Sequence, residues 1–451
     1  MAGAAAGVNN GTPALNDALA TSLVSLARVR SIAPRGRVVQ AFGTMLRVSG
    51  IGARIGSQCE IFQAGGGGGV VQAEVVGFAD GHALVVPLST LQGVALGSEV
   101  RLLEDRSAVW FGPGLLGRVV DCFGQPMDGR PLPAGLTAQP LHATAPNPLA
   151  RKLISAPFVT GVRVIDSLLT IGQGQRVGVF AAAGGGKSTL LGMLARRSQA
   201  DVVVIGLIGE RGREVREFIE DSLGPEGLAR SVVVVSTSDR SAMERVRAAH
   251  TATAIAEGFR GRGKSVLLLM DSVTRYARAL REIGLAVGEP PVRRGFPPSV
   301  FAELPRLFER AGNDETGSIT AIYTTLLEDE DSADPVAEEV RSILDGHLVL
   351  SRALGQANHY PAVDVLASVS RTFGRVTSAE HQKSANHVRA LMARHAEIKL
   401  LLQLGEYKAG ADALADEAIA KLPGIHALVR QRPTDATPFD TTLAQLQALA
   451  R

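Results

Sequence analysis

Hydrophobic and polar positions along the chain follow successive patterns, each typical of a different architecture. Leucines recur at helical spacing at positions 15, 19, 23 and 26, which predicts a short amphipathic helix within a mobile N-terminal stretch, residues 1–34. From residue 35 to 105, short β-rich runs alternate with glycine, as in "GRVVQAFGTMLRVSG" and "VVQAEVVGF". These runs predict the strands of a small β-barrel.

Beyond residue 106, buried strands alternate with helices. Strands are predicted at 176–180, 201–208, 231–236, 265–271 and 318–326, with helices at 187–198, 213–223 and 241–260. This alternation indicates an α/β fold, a largely parallel sheet with helices on both faces. From residue 377 the pattern becomes helical. We therefore predict a barrel at 35–105, an α/β domain at 106–376 and a helical domain at 377–451.

The composition of the chain indicates a globular protein of more than one domain and argues against several other kinds of protein. A chain of 451 residues is too long for one ordinary core, and 45% hydrophobic with 20% charged residues is typical of globular domains. The formal net charge of +3 is too small a bias to indicate a nucleic-acid partner. With Cys59 and Cys122 as the only cysteines, no signal-peptide pattern and no apolar run of about 20 residues, we expect a cytoplasmic protein.

The segment "AAAGGGKST" lies between a predicted strand and a predicted helix, the context of a phosphate-binding loop. Glycine amides can converge on phosphate oxygens, Lys187 can reach the β- and γ-phosphates, and the Ser188 hydroxyl can bind Mg²⁺. Ala181 replaces the first glycine of the usual motif, so the loop is a variant. The predicted nucleotide-binding residues here are Gly184, Gly185, Gly186, Lys187, Ser188 and Thr189.

Two acidic residues follow buried strands. The apolar run "SVLLLM" brings Asp271 to a strand end, where it can hold Mg²⁺ through water; capping the next helix is the alternative role. Glu210 ends the run "VVVIGLIGE" and can orient or deprotonate the attacking water. Glu217 and Glu220 are rival carboxylates, but each lies four residues after an arginine, a spacing typical of surface ion pairs.

Five long segments stand out, in this order along the chain: "GVRVIDSLLTIGQGQRVGVFAAAGGGKSTLLGML", "GLIGERGREVREFIE", "DSVTRYARALREIGLAVGEPP", "GFPPSVFAELPRLFERAG" and "YPAVDVLASVSRTF". Together they resemble the type III secretion ATPases, which are relatives of the flagellar export ATPase and of the catalytic subunit of rotary ATP synthases. The resemblance covers nearly the whole chain from about residue 35, and the loop is most similar to the branch from plant pathogens and root symbionts.

The resemblance implies a RecA-like core, an oligomerisation role for the barrel, and roles for individual residues. Lys187 and Ser188 match the family's P-loop, Glu210 its catalytic glutamate and Asp271 its Walker B aspartate. Arg211 resembles the arginine that contacts the γ-phosphate within the same subunit.

Two further residues take a role only from the resemblance. Arg371 of "SVSRTF" matches the arginine finger that enters a neighbour's site, whereas the residues alone favour a structural ion pair. Tyr360 of "HYPAVD" matches an aromatic that stacks on adenine. The adenine-pocket aromatics of the helical domain have no firm match, which leaves base selectivity open.

The function implied is Mg²⁺-dependent ATP hydrolysis by a homo-hexameric ring at the cytoplasmic base of a type III secretion system, peripheral to the inner membrane. Expected partners are stalk or stator proteins, export-gate proteins and chaperone–effector complexes. The region after 377 would recognise the chaperone–effector complexes, and the ring would release and unfold their cargo. The alternatives are a flagellar export ATPase, a rotary-motor subunit, an RNA translocase and a non-enzymatic scaffold. An RNA translocase would need a basic, aromatic barrel, yet only Phe42, Phe62 and Phe78 are aromatic between residues 37 and 104.

Overall fold

The computed structural model describes residues 35–64, 69–103, 108–182, 184–327 and 334–451. The amphipathic helix predicted from the leucines before residue 34 lies outside these ranges, so it stays a prediction.

The first described strands close into a barrel in the order β1-β2-β5-β4-β3-β6, with β6 pairing back onto β1. Along β4 the buried residues Val71, Ala73 and Val75 alternate with more exposed ones, the period expected of a strand with one face inward. The predicted β-barrel is confirmed. Its strands are β1 Arg35–Phe42, β2 Met45–Ser49, β3 Gln58–Phe62, β4 Val70–Ala79, β5 His82–Pro87 and β6 Glu99–Leu102.

The middle of the chain is α/β, as predicted, and each of the five predicted strands is present. Its strands are β7 Ala108–Phe111, β8 Arg118–Val120, β9 Thr137–Pro140, β10 Pro157–Phe158, β11 Ile171–Gly172, β12 Arg176–Ala182, β13 Val202–Glu210, β14 Ser231–Thr237, β15 Ser265–Asp271, β16 Gly312–Asn313, β17 Ser318–Leu327, β18 Gly346–Leu350 and β19 Val363–Ser370. Its helices are α1 Arg163–Leu168, α2 Lys187–Arg197, α3 Gly212–Glu217, α4 Gly224–Ala229, α5 Ala242–Arg260, α6 Val273–Ala286, α7 Pro298–Phe308, α8 Pro335–Ile343, α9 Arg352–Gln356 and α10 Phe373–Val376. A π-helical turn, Phe218–Leu223, joins α3 to α4, and a 3₁₀ turn spans Pro113–Leu115.

The main sheet has the order β19-β18-β12-β17-β15-β13-β14-β8. Neighbouring strands from β18 to β8 are parallel, whereas β19 runs antiparallel to β18. Residues of β13 alternate between two cores, with Val204 on one face and Val203 and Ile205 on the other. Because both faces are covered, the strand sequences are almost continuously apolar.

The end of the chain is helical, as predicted, with α11 Ala379–Leu404, α12 Ala413–Val429 and α13 Phe439–Leu449. Leu391, Leu428 and Leu446 are buried in the same apolar core as α1. Arg163 of α1 ties the two parts together, since its Nε donates to the carbonyl of Leu428 at 2.9 Å. No helix in the described ranges is both long and apolar enough to cross a membrane.

Candidate active site

The loop between β12 and α2 turns the chain sharply at the carboxyl end of β12. Gly184 and Gly186 have φ angles of 80° and 79°, in the left-handed region that glycine adopts without strain. Ala181 is buried within β12, and its backbone is that of a strand. The motif's first glycine is therefore not needed at this position, which explains how the variant loop keeps its shape. Residue 183 lies outside the described ranges.

Lys187 and Asp271 form an ion pair in this site. Lys187 begins α2, and its Nζ donates to Oδ1 of Asp271 at 2.6 Å. The Thr324 hydroxyl, from the adjacent strand β17, donates to the same oxygen at 2.8 Å. Asp271 is 3% exposed, so both contacts offset the cost of burying its charge.

Glu210, the last residue of β13, is buried beside this pair. Its Oε1 lies 3.7 Å from Lys187 Nζ and accepts a hydrogen bond from Arg275 Nε at 3.2 Å. Gly209 makes room for this arginine, because a Cβ there would lie 2.9 Å from Arg275 Cδ. Gly209 also has a φ of 70°, so glycine is favoured there on both counts.

Burial raises the pKa of the Glu210 carboxyl to about 7, and the nearby charge of Asp271 acts in the same direction. The cations of Lys187 and Arg275 oppose this rise without cancelling it. Near neutral pH the carboxyl is thus poised between its two forms, the property that a general base requires.

A cavity of about 550 Å³ opens onto these groups. The structure brings most of the predicted site residues together here. Its walls include Gly184, Gly185, Gly186, Lys187, Ser188, Thr189, Glu210, Arg211 and Asp271.

Tyr360 lies beside the loop. A Cβ on Gly186 would lie 3.3 Å from Tyr360 Cε1, so the ring is in van der Waals range of the loop backbone. The residue remains 37% exposed, which leaves part of the ring available for stacking. Tyr360 therefore reaches the glycine-rich loop from a distant part of the sequence.

Arg371 does not reach this cavity within its own chain. It follows β19, and its amide donates to the carbonyl of Asp345, whose amide donates to the carbonyl of Arg176. Arg176 is the first residue of β12, whereas the phosphate loop follows the last. At about 3.3 Å per residue, the strand separates the two sites by roughly 20 Å. Arg371 is exposed and lies at the end of the sheet opposite the glycine-rich loop.

The segment after Glu210 carries three arginine–glutamate pairs. Glu217 and Glu220, the rival bases, pair with Arg213 at 2.7 Å and Arg216 at 2.8 Å, as their spacing predicts. The guanidinium of Arg211 is turned to Glu214, at 2.9 Å.

Sequence reasoning missed three side chains of the site: Arg275, Thr324 and Glu214. Arg275 lies four residues after Asp271 on the following helix, so its position near the strand end was a usable signal. Thr324 comes from β17, and nothing in the sequence shows that β17 lies beside β15.

Residues 161–370 match the model of the ATP synthase alpha/beta family, nucleotide-binding domain, and residues 377–448 match that of the T3SS EscN ATPase C-terminal domain. The chain is 54% identical over 438 residues to the type 3 secretion system ATPase of Xanthomonas euvesicatoria, covering 97% of this chain and 98% of that one. It is 48% identical to the type 3 secretion system ATPase of Sinorhizobium fredii, with 97% of each chain covered.

A solved structure extends the likeness to three dimensions. The assembled ATPase EscN of enteropathogenic E. coli, in complex with its central stalk EscO, matches with a TM-score of 0.85 and 44% identity, covering 92% of this chain and all of that one. Likeness to these proteins spans the barrel, the α/β core and the helical region alike, and the resemblance to plant-pathogen and rhizobial proteins is confirmed. This chain belongs to the family of type 3 secretion system ATPases.

Proposed function

We propose that this ATPase acts as a homo-hexameric ring whose sites hydrolyse ATP between neighbouring subunits and serve type III protein export. The observation that carries the proposal is the meeting of Lys187, Glu210 and Asp271 at the carboxyl edge of the sheet, beside a glycine-rich loop that opens α2.

Each group has a chemical task that follows from its place. The loop amides and the start of α2 favour the phosphate charge, and Lys187 exchanges part of its carboxylate contact for phosphate oxygens. Glu210 orients water and accepts its proton as the terminal phosphoryl group is transferred. Arg211 adjoins the base and lies on the cavity wall, from which it can turn to the γ-phosphate.

The residues present fit Mg²⁺. The Ser188 hydroxyl and the Asp271 carboxylate both line the cavity and supply hard oxygen donors, and Asp271 would act through water. Such sparse protein ligation is usual where phosphate oxygens and water complete the shell. When bound, Mg²⁺ would neutralise charge that develops on the transferred phosphate.

Arg371 acts in trans in this proposal. Its place at the opposite end of the sheet, roughly 20 Å from the loop, supports a role in another subunit's site. One chain carrying both Glu210 and Arg371 can build a ring from identical copies, which distinguishes it from a rotary motor that alternates catalytic and non-catalytic subunits.

The helical region offers a surface for the partners of such a ring. Leu400, Leu401 and Leu404, at the end of α11, are exposed although they are large and apolar. We propose that this surface contacts a central stalk or chaperone–effector cargo, and that stator and export-gate proteins hold the ring at the inner membrane. The match to the EscN C-terminal domain in this region favours protein secretion over flagellar export.

Mixing two inactive variants tests the trans assignment. Arg371→Ala keeps its own base, and Glu210→Gln keeps its finger, so a mixed ring contains interfaces at which both are intact. Recovered phosphate release after subunit exchange supports the proposal. No recovery at any mixing ratio, with mixed rings shown by mass spectrometry, would overturn it.

A further inference from the structure

Glu214 contacts Arg211 and lines the cavity that holds Glu210. Its Oε1 accepts a hydrogen bond from Arg211 Nη1 at 2.9 Å. Glu210, Arg211 and Glu214 all lie on the wall of the same cavity. One carboxylate therefore holds the candidate phosphate-binding arginine on the wall that also carries the candidate base.

The Arg216–Glu220 pair of the same segment differs from this arrangement. Arg216 and Glu220 pair across one helical turn with side chains 79% and 57% exposed, and Glu220 is not on the cavity wall. Glu214 is 33% exposed and faces inward. The Arg211–Glu214 pair therefore lies at the site, whereas the Arg216–Glu220 pair belongs to the outer surface.

We propose that Glu214 is a positioning residue that holds the guanidinium of Arg211 at the rim of the site and releases it when a γ-phosphate arrives. The inference rests on the role proposed above for Arg211.

Arg211 can be held by Glu214 in one state and bound to the γ-phosphate in the other, for three physical reasons. Arg211 is 71% exposed, so its side chain can rotate without displacing packed groups. A terminal phosphate carries more charge than one carboxylate and can accept a bidentate pair of hydrogen bonds, so it wins the competition for the guanidinium. An exposed ion pair is weak enough to break, since such pairs contribute about 1.4- to 5-fold in an equilibrium.

Equilibrium binding separates the nucleotides that have a γ-phosphate from those that do not. We would titrate the full-length protein with the non-hydrolysable analogue AMP-PNP, and separately with ADP, each with Mg²⁺, in a calorimeter. Glu214→Gln frees Arg211, so AMP-PNP should bind up to about fivefold more tightly while ADP affinity stays unchanged. Glu214→Ala should shift binding in the same direction and serves if the glutamine variant folds poorly.

A double-mutant cycle shows whether Glu214 acts through Arg211. In the Arg211→Gln background, adding Glu214→Gln should leave AMP-PNP affinity where it was. Glu220→Gln, the same substitution in an outer pair, should change neither affinity. If the loss of negative charge alone caused the gain, AMP-PNP and ADP would both bind more tightly, and the gain would remain in the Arg211→Gln background.

The outcomes distinguish this inference from the function on which it rests. If Arg211→Gln alone weakens AMP-PNP but Glu214→Gln matches Glu220→Gln, the positioning role is wrong and the arginine's role stands. If Arg211→Gln leaves AMP-PNP affinity unchanged, the phosphate contact itself is wrong. An equal gain for ADP and AMP-PNP also overturns the proposal.

Discussion

Replacing Glu210 with glutamine removes the charge of the candidate base while nearly keeping its shape. Hydrolysis should fall by about 10²- to 10⁴-fold, the usual contribution of a positioned general base, while ATP still binds. The same substitution should also stabilise the fold, because burial opposes the charge that the base needs. These two effects have one cause, the environment that raises the pKa of Glu210.

The size of the stability effect follows from that pKa. A rise from 4.5 to about 7, at about 1.4 kcal/mol per pH unit, corresponds to roughly 3 kcal/mol. Between these values the folded carboxyl keeps a proton that the unfolded chain has released, so stability is lost as the pH rises from about 4.5 to 7. Glu210→Gln has no such loss and should exceed the wild type most clearly at pH 8.

Melting temperatures at pH 5 and pH 8 measure this difference. The variant should melt on the order of 3–6 °C above the wild type at pH 8, with a much smaller gap at pH 5. In the wild type, kcat/KM should fall about tenfold per pH unit below pH 7, because the free enzyme's base must be ionised.

Glu220→Gln is the matched control, since it removes an exposed carboxylate of the same segment. It should leave the pH dependence of the melting temperature and of kcat/KM as they are in the wild type. A wild-type acid limb near pH 4.5, or a Glu210→Gln variant whose gain over the wild type is no larger at pH 8 than at pH 5, would show that Glu210 is not held in the way described.

Substitutions at the loop, at Tyr360 and on the helical region test the other parts of the proposal. Lys187→Met should abolish both ATP binding and hydrolysis, since it removes the cation between two buried carboxylates; a filter-binding assay with ATP checks this, and retained affinity would contradict it. Tyr360→Ala should raise the KM for ATP roughly tenfold, as the loss of a stacking platform implies, whereas Tyr360→Phe should not; equal effects in steady-state kinetics would point to the hydroxyl. Leu400→Glu with Leu404→Glu should leave melting and basal hydrolysis intact but abolish pull-down of stalk or chaperone–effector complexes, and unchanged capture would place recognition elsewhere.

The loop residues and the two carboxylates at strand ends could be predicted from the sequence, because neighbouring residues determine where their side chains lie. Lys187 and Ser188 follow a strand and open a helix, so the order of residues in the loop determines where their side chains lie. Asp271 and Glu210 end apolar runs, and the ends of parallel strands share one edge of the sheet.

Other features depend on strand order, which the apolar pattern does not encode. Thr324 reaches Asp271 because β17 lies beside β15. The helix predicted at 213–223 is interrupted by the π-helical turn, where a Cβ on Gly192 would lie 2.4 Å from the carbonyl oxygen of Ser222. The wider turn accompanies this close approach of α2, a tertiary contact invisible to local periodicity.

The direction of β19 explains how identical subunits can complete one another's sites. β19 is antiparallel to β18, so its carboxyl end, and Arg371 after it, lies at the edge of the sheet away from the phosphate loop. If the finger of one copy fills the site of the next, the two contacting surfaces are different, and the interface is of the head-to-tail kind. Such contacts repeat from copy to copy and close into a ring where the rotation between copies allows, whereas a two-fold dimer would pair each surface with itself. The separation of Arg371 from Lys187 within one chain therefore fits the proposed ring, in which every subunit both lends a finger and receives one.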